Sequence, residues 1–320
     1  MNHLNRSKRQ GFALVELLII FGIVLLLTSI LLPTLVKARA AESRTQCAKN
    51  LKLIGQAMLL YANENAGRYP RTYYNPIDAK TKETLENPVW SVELTGNDKN
   101  SPFAFERIGD SPVGNNNVPA ALFLLLRTQD ITAKEFVCPG TQAKADTYQL
   151  ATIPKSNVLG AGNFCNAKGK GINGYASVNS YSFHMMYAGK AAVADGFVWT
   201  NTLLADFAIA ADINPGDVRN DFGTTIFTVK TTSSAEEQKG GNSPNHEYEG
   251  QNVLYGDCHV EFVQTSFAGV KQDNIYGVSA GSDKKDNEIV WKPENNPDSI
   301  CKRLSPAHKN DSFLVPTAAD

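Results

Sequence analysis

The 320-residue chain has no surplus of charge of either sign, with 31 Lys and Arg against 32 Asp and Glu and a net charge of −1. No long run of like charge occurs. The electrostatic footprint of a nucleic-acid binder is therefore missing, and no nucleic acid is expected among the partners. Catalytic signatures are missing too. There is no GxSxG, HExxH, Walker loop or Rossmann fingerprint, and an enzyme is not expected. Gly160-Ala161-Gly162 and Gly169-Lys170-Gly171 lack a strand–turn–helix setting and read as loops. Cysteine is sparse: Cys47, Cys138, Cys165, Cys258 and Cys301. None lies in a CxxC pair or beside a histidine at zinc-finger spacing, so a structural zinc site is not expected. The odd count leaves at least one thiol unpaired in a monomer. If the body lies outside the cytoplasm, one or two disulfides fit, but the pairing cannot be read from spacing.

Apolar residues make up 42% and charged residues 20% of the chain, which predicts a folded core rather than disorder. One long hydrophobic run is present. Residues 1–11, MNHLNRSKRQG, carry Arg6, Lys8 and Arg9 and no acid. Phe12 to Val36 then runs for 25 residues with Glu16 as its single charge. As a helix this is about 37 Å, enough to cross a hydrocarbon core of roughly 30 Å. The basic stretch before it predicts a cytoplasmic N-terminus with the remainder outside. Three readings compete. A secretory signal peptide has a candidate cleavage site at Ala38-Arg39-Ala40 followed by Ala41, but the apolar run is about twice the usual length. A plain signal anchor leaves Glu16 unexplained, since a carboxylate inside an apolar span costs roughly 2.5–3.5 kcal/mol.

The third reading accounts for the acid. Gly11-Phe12-Ala13-Leu14-Val15-Glu16 resembles the processing motif of type IV prepilins and type II secretion pseudopilins. The resemblance implies a cut between Gly11 and Phe12 by a prepilin peptidase, methylation of Phe12, and a role for Glu16 in subunit assembly. The mature chain would hold 28 Lys and Arg against 32 acids, near −4. The cut creates a positive amine one helical turn from Glu16 and within reach of a neighbouring subunit's carboxylate. A buried carboxylate is tolerable when so paired.

Lys37 to Asn65 contains no proline, and Cys47, Leu51, Ile54, Met58 and Tyr61 recur at helical spacing, with Lys49, Lys52 and Gln56 opposite. This predicts an amphipathic stalk packed on the globular body. Pro33 is expected to bend or open the helix, and Gly67 and Pro70 to end it. Cys47, Asn50-Leu51-Lys52, Gly55, Ala57, Tyr61, Gly67 and Pro70 together resemble the C-x-x-N-L-K-x-I-G-x-A … Y … G-x-x-P pattern of large pilin-like proteins with a processing-associated C-terminal motif. Cys138-Pro139, Asn179-Ser180-Tyr181-Ser182 and Leu203-Leu204-Ala205-Asp206 resemble further short segments of that family.

In the body, Asn117-Val118-Pro119 opens a short apolar helix. Gln251 to Val263 reads as a hairpin around Gly256-Asp257, with a tight two-residue turn. The family's closing signature is a histidine, nine residues, Asp-Gly and a further histidine. Here ten residues separate His246 from Asp257, Cys258 stands in place of the glycine, and His259 is the trailing histidine. His246, Asp257 and His259 are weak candidates for a metal site. The alternative is that Asp257 serves the turn and the histidines bond nearby backbone. Gly281 to Glu288 is oxygen-rich enough for calcium, although Lys284 and Lys285 argue against it. No cofactor is required.

The expected fold is α+β, with a long transmembrane and stalk helix packed on a β-rich, pilin-like head. The expected organisation is a leader at 1–11, a transmembrane helix at 12–36, a stalk at 37–66 and an extracytoplasmic head at 67–320. The expected function is that of a pseudopilin subunit in the inner membrane, with the prepilin peptidase, other pilin-like subunits and a membrane assembly platform as partners. The alternatives are a membrane-displayed module that binds glycan or another ligand without polymerising, and a tethered hydrolase.

Overall fold

The computed structural model describes residues 14–72, 74, 116–141, 167–168, 175–176, 179–215, 227–278, 288–289 and 305–316. Gly11, Phe12, Cys165, Cys301, the glycine-rich stretches at 160–162 and 169–171, and all of the calcium candidate at 281–288 except Glu288 lie outside these residues. The chain divides into two compact units, Met1–Glu42 and Ser43–Asp320.

Helix α1 runs from Leu14 to Glu64 and belongs to both units. In the first unit it is long and apolar enough to cross a membrane, and the apolar window is wholly unburied. Pro33 does not end the helix. It removes the N–H that the carbonyl of Ser29 would otherwise accept. The hydroxyls of Thr28, Ser29 and Thr34 bond back to carbonyls of the preceding turn, so these three donors are satisfied within the helix.

In the second unit the expected stripe is buried. Cys47, Leu51, Ile54 and Met58 are covered and Tyr61 is half-buried, while Lys49, Lys52 and Gln56 face water. The end of α1 differs in detail from the expectation. The Gly67 N–H donates to the Ala62 carbonyl at 2.7 Å, and both Ala66 (φ 54°) and Gly67 (φ 78°) are left-handed. A bond spanning that many residues puts Ala66, not Gly67 alone, in the cap position.

The head is α+β. Among the described residues its other α-helices are α2 (Val118–Thr128), α3 (Lys190–Ala194) and α4 (Ala235–Gly240). As the sequence predicts, α2 opens at Asn117, whose side chain accepts from the Ala120 N–H at 2.8 Å. The strands are β1 (Ala167–Lys168), β2 (Tyr175–Ala176), β3 (Tyr181–His184), β4 (Ala208–Asp212), β5 (Phe227–Thr228), β6 (Gln251–Tyr255), β7 (Val260–Val263), β8 (Gly277–Val278), β9 (Glu288–Ile289) and β10 (Leu314–Pro316). The central sheet has five strands in the order β10-β3-β4-β6-β7, with every pairing antiparallel.

Both faces of this sheet are covered. Tyr181, Phe183, Ala210, Leu254 and Val315 pack with the α1 stripe and with Leu122, Phe123 and Leu125 of α2. Ala211, Val253, Tyr255 and Leu314 pack on the other side with Phe267, Ile275 and Tyr276. This explains why β4 and β6 are buried along their whole length and show no polar alternation. The helix lies close to the strands at Gly55, where a Cβ would meet Cys258 Sγ at 2.6 Å and Leu254 Cδ1 at 2.8 Å.

The β6–β7 hairpin forms as predicted, but its turn is longer than expected. Leu254 pairs with Val260, the Tyr255 N–H donates to the His259 carbonyl at 3.0 Å, and the Cys258 N–H donates to the Tyr255 carbonyl at 2.8 Å. The loop is therefore three residues, and the left-handed residue is Cys258 at φ 70°, not Gly256. A three-residue hairpin places its left-handed position third. That is the position at which the resembling family carries glycine.

Candidate functional site

The side of the central sheet that faces α1 carries one polar row. The register places Tyr181 of β3 opposite Asp212 of β4, and Asn252 of β6 opposite Phe262 of β7. Continuing the β4–β6 register brings Asp212 beside Asn252, and the contacts agree. Asp212 Oδ2 accepts from the Asn252 backbone N–H at 2.7 Å and from Asn252 Nδ2 at 3.1 Å. His246 Nε2 is 3.1 Å from the same oxygen. Oδ1 accepts from Asn245 Nδ2 at 3.1 Å. A fully buried carboxylate is thus surrounded by donors, which is the condition for leaving it in a core.

His246 reaches the row from a short 3₁₀ turn, Pro244–His246, capped by Ser243 and followed by left-handed Glu247. Nε2 faces both the Asp212 oxygen, which favours a proton there, and the Asn252 amide nitrogen at 3.3 Å, which favours a lone pair. Cys138 Sγ lies 3.8 Å from the same nitrogen. Cys138 itself follows a 3₁₀ turn, Ala133–Phe136, whose start is fixed by a reciprocal Thr132–Glu135 capping box. Beyond it the chain squeezes past Gly140, where a Cβ would come within 2.6 Å of the Asn245 carbonyl. Only glycine fits that approach.

Helix α1 closes the row from above. Cys47 forms a disulfide with Cys138, with Cα atoms 5.2 Å apart. One turn on, Asn50 Nδ2 donates to the Val137 carbonyl at 3.0 Å and to Tyr181 Oη at 3.2 Å. Burial and the nearby Asp212 charge push the Tyr181 hydroxyl well above its ordinary pKa, so it stays neutral. Arg44 pairs with Glu249, and its guanidinium lies 4.7 Å over the Phe262 ring. Lys52 Nζ donates to the Cys258 carbonyl at 2.6 Å, tying the helix to the hairpin turn.

The candidate residues named from sequence do not form one site. Asp257 and His259 are exposed at the hairpin turn. Asp257 Oδ1 accepts from the His259 N–H at 2.9 Å and lies 2.5 Å from His259 Nδ1. The backbone bond, then the ring bond, hold the Asp257 carboxyl below its usual range. Tyr255 stacks on the His259 ring at 4.4 Å. This is a turn with a capped carboxylate. His246 is instead buried, and its ring meets side chains rather than nearby backbone: Asp212 and Cys138 from distant segments and Asn252 from the following strand. Glu16 lies in the first turn of α1, in the other unit.

Sequence reasoning missed Asp212. The available signal was a single acid ending the apolar run Phe207-Ala208-Ile209-Ala210-Ala211. It also missed His184, which is fully buried and stacked on Trp199 at 5.2 Å with Phe207 at 4.8 Å. Burial lowers the His184 pKa to about 3, so it remains neutral. Comparison of the chain with protein-family models, with curated proteins and with solved structures returned no match.

Proposed function

We propose that this chain is a pilin-like structural subunit of a type II secretion or type IV pilus-like filament. It would enter the inner membrane with its leader in the cytoplasm, be cut by the prepilin peptidase between Gly11 and Phe12, be methylated at Phe12, and pass through an assembly platform into a stack of like subunits. The observation that carries this reading is helix α1. A single element has an apolar first half whose only charge in the run is Glu16, in its first turn, and a second half whose inner stripe is buried in the head. The Cys47–Cys138 disulfide supports an extracytoplasmic head. Leu53 and Leu60, on the outer side of the stalk, are 45% and 55% exposed and offer apolar surface to neighbouring helices.

In the stack, the amine of mature Phe12 would answer the Glu16 carboxylate of an adjoining subunit, so the pair sets register between copies. Replacing Glu16 with alanine should leave cleavage intact and lower crosslinked multimers about tenfold, equivalent to roughly 1.4 kcal/mol of subunit coupling. Unchanged multimers in that variant would contradict the filament reading and favour a head displayed singly, for example to bind glycan.

A further inference from the structure

We propose that, when Cys47 and Cys138 are reduced, the head binds one zinc ion through Cys47 Sγ, Cys138 Sγ, His246 Nε2 and a carboxylate oxygen of Asp212. The disulfide and the zinc-loaded dithiol are alternative closures of the same buried site. The proposal stands on geometry within the head and does not depend on filament assembly.

One ligand atom from each of these four residues lies within 4.8 Å of the other three, and all four residues are buried. Tetrahedral zinc has bonds of about 2.3 Å to sulfur and about 2.0–2.2 Å to nitrogen and oxygen. Those lengths give ligand-to-ligand edges of roughly 3.6 Å for S···N and roughly 3.4 Å for N···O. The corresponding separations here are 3.8 Å, Cys138 Sγ to His246 Nε2, and 3.1 Å, His246 Nε2 to Asp212 Oδ2. Three of the four donors thus already occupy positions close to those of a zinc shell. Cleaving the disulfide frees both sulfurs to complete it.

The donor chemistry selects the metal. Two thiolates, an imidazole and one carboxylate suit zinc and disfavour calcium or magnesium, which take oxygen. The outer contacts are those of a supported metal site. Asn245 Nδ2 fixes Asp212 Oδ1, the Asn252 backbone N–H fixes Oδ2, and Gly140 holds the Cys138 loop against the turn that carries His246. Four segments far apart in sequence supply the ligands, which is why no local spacing announces them.

The chemistry balances as follows. A dithiol or phosphine reductant gives two electrons to the disulfide and is itself oxidised, and the two sulfurs take up two protons. Zinc then displaces both thiol protons to solvent. The imidazole binds as the Nδ1–H tautomer, any proton on His246 Nε2 passing to Nδ1, which leaves the Nε2 lone pair for the metal. The ion replaces the lost covalent link between residues 47 and 138 and adds two further anchors, so zinc should restore stability lost on reduction.

The test uses the full chain in detergent with Cys165, Cys258 and Cys301 replaced by alanine, so that only Cys47 and Cys138 can supply thiolate. The protein is folded in its disulfide form, reduced with a phosphine, freed of metal and titrated with cobalt(II), then with zinc. The expected result is uptake of one cobalt per chain, with thiolate charge-transfer absorption and the visible bands of a tetrahedral site, bleached by one equivalent of zinc. Zinc should also raise the thermal midpoint of the reduced chain and leave the oxidised chain unchanged. His246→Gln, folded first as the disulfide, should weaken uptake at least tenfold. If reduction alone unfolds the chain, zinc should refold it at one equivalent. Absence of stoichiometric uptake, failure of zinc to stabilise or refold the reduced chain, or equal affinity in His246→Gln would each overturn the proposal.

Discussion

Replacing Cys47 with serine is expected to cost the head about 2–5 kcal/mol of stability. The bond joins residues 91 apart in sequence. In the chain-entropy account, removing a cross-link of that span frees the unfolded chain by roughly 4–5 kcal/mol. The native side adds to the loss, because the serine hydroxyl would enter a site where Cys47 is fully buried. For a domain of this size the thermal midpoint should fall on the order of 10 °C. Thermal melts of the detergent-solubilised chain, with and without reductant, check it. Reductant should shift the wild type strongly and leave Cys47→Ser nearly unmoved. Equal response of the two would show that the bond does not hold the stalk to the head.

Asp212→Asn should also be damaging, at about 1–3 kcal/mol for each buried donor left unanswered. The change looks conservative, but the hydrogen bonds forbid it. Asp212 Oδ2 faces the Asn252 N–H, Asn252 Nδ2 and His246 Nε2, while Oδ1 faces Asn245 Nδ2. An asparagine must point its NH₂ at one of these sets, whichever way it turns. At least one buried donor then meets another donor, and the desolvation of both is uncompensated. Urea denaturation should show a lower midpoint with an unchanged slope. A loss below about 1 kcal/mol would mean that water reaches the row and that the cluster is less tightly built than described.

Much of the helical framework was legible in the sequence. The stripe from Cys47 to Met58 is written at a spacing that only a helix satisfies, and Asn117 with Pro119 marks the start of α2 with groups that act locally. The polar centre was not legible, because its members are brought together by strand register rather than by spacing. Asp212 meets Asn252 only once the β4–β6 pairing is known, and that pairing carries a bulge between Ala208 and Ala210. The sequence layout places His246 with Asp257 and His259, which follow it within thirteen residues, and not with Asp212. The three-residue loop turns those two outward, while the 3₁₀ turn at Pro244–His246 carries His246 inward. Cys258 illustrates the same limit. A left-handed residue there is set by the hairpin register and could not be read from Gly256-Asp257 alone.

The motif residues do share a physical logic. Cys47, Asn50, Lys52 and Gly55 on α1, the Cys138-Pro139 element, the Asn179-Ser180-Tyr181 segment and His246 all border the polar row or fasten the helix to the hairpin below it. Their common task in this chain is to seat the stalk on the sheet. The disulfide and the Asp212 network lie where the second half of α1 meets the sheet.

The proposed maturation, that of a prepilin, can be read from mass spectrometry of the N-terminus of the membrane-extracted protein. The expected result is a mature chain that begins at Phe12 and carries one added methyl group on its α-amine. A chain that retains Met1, or one that begins at Ala41, would contradict it.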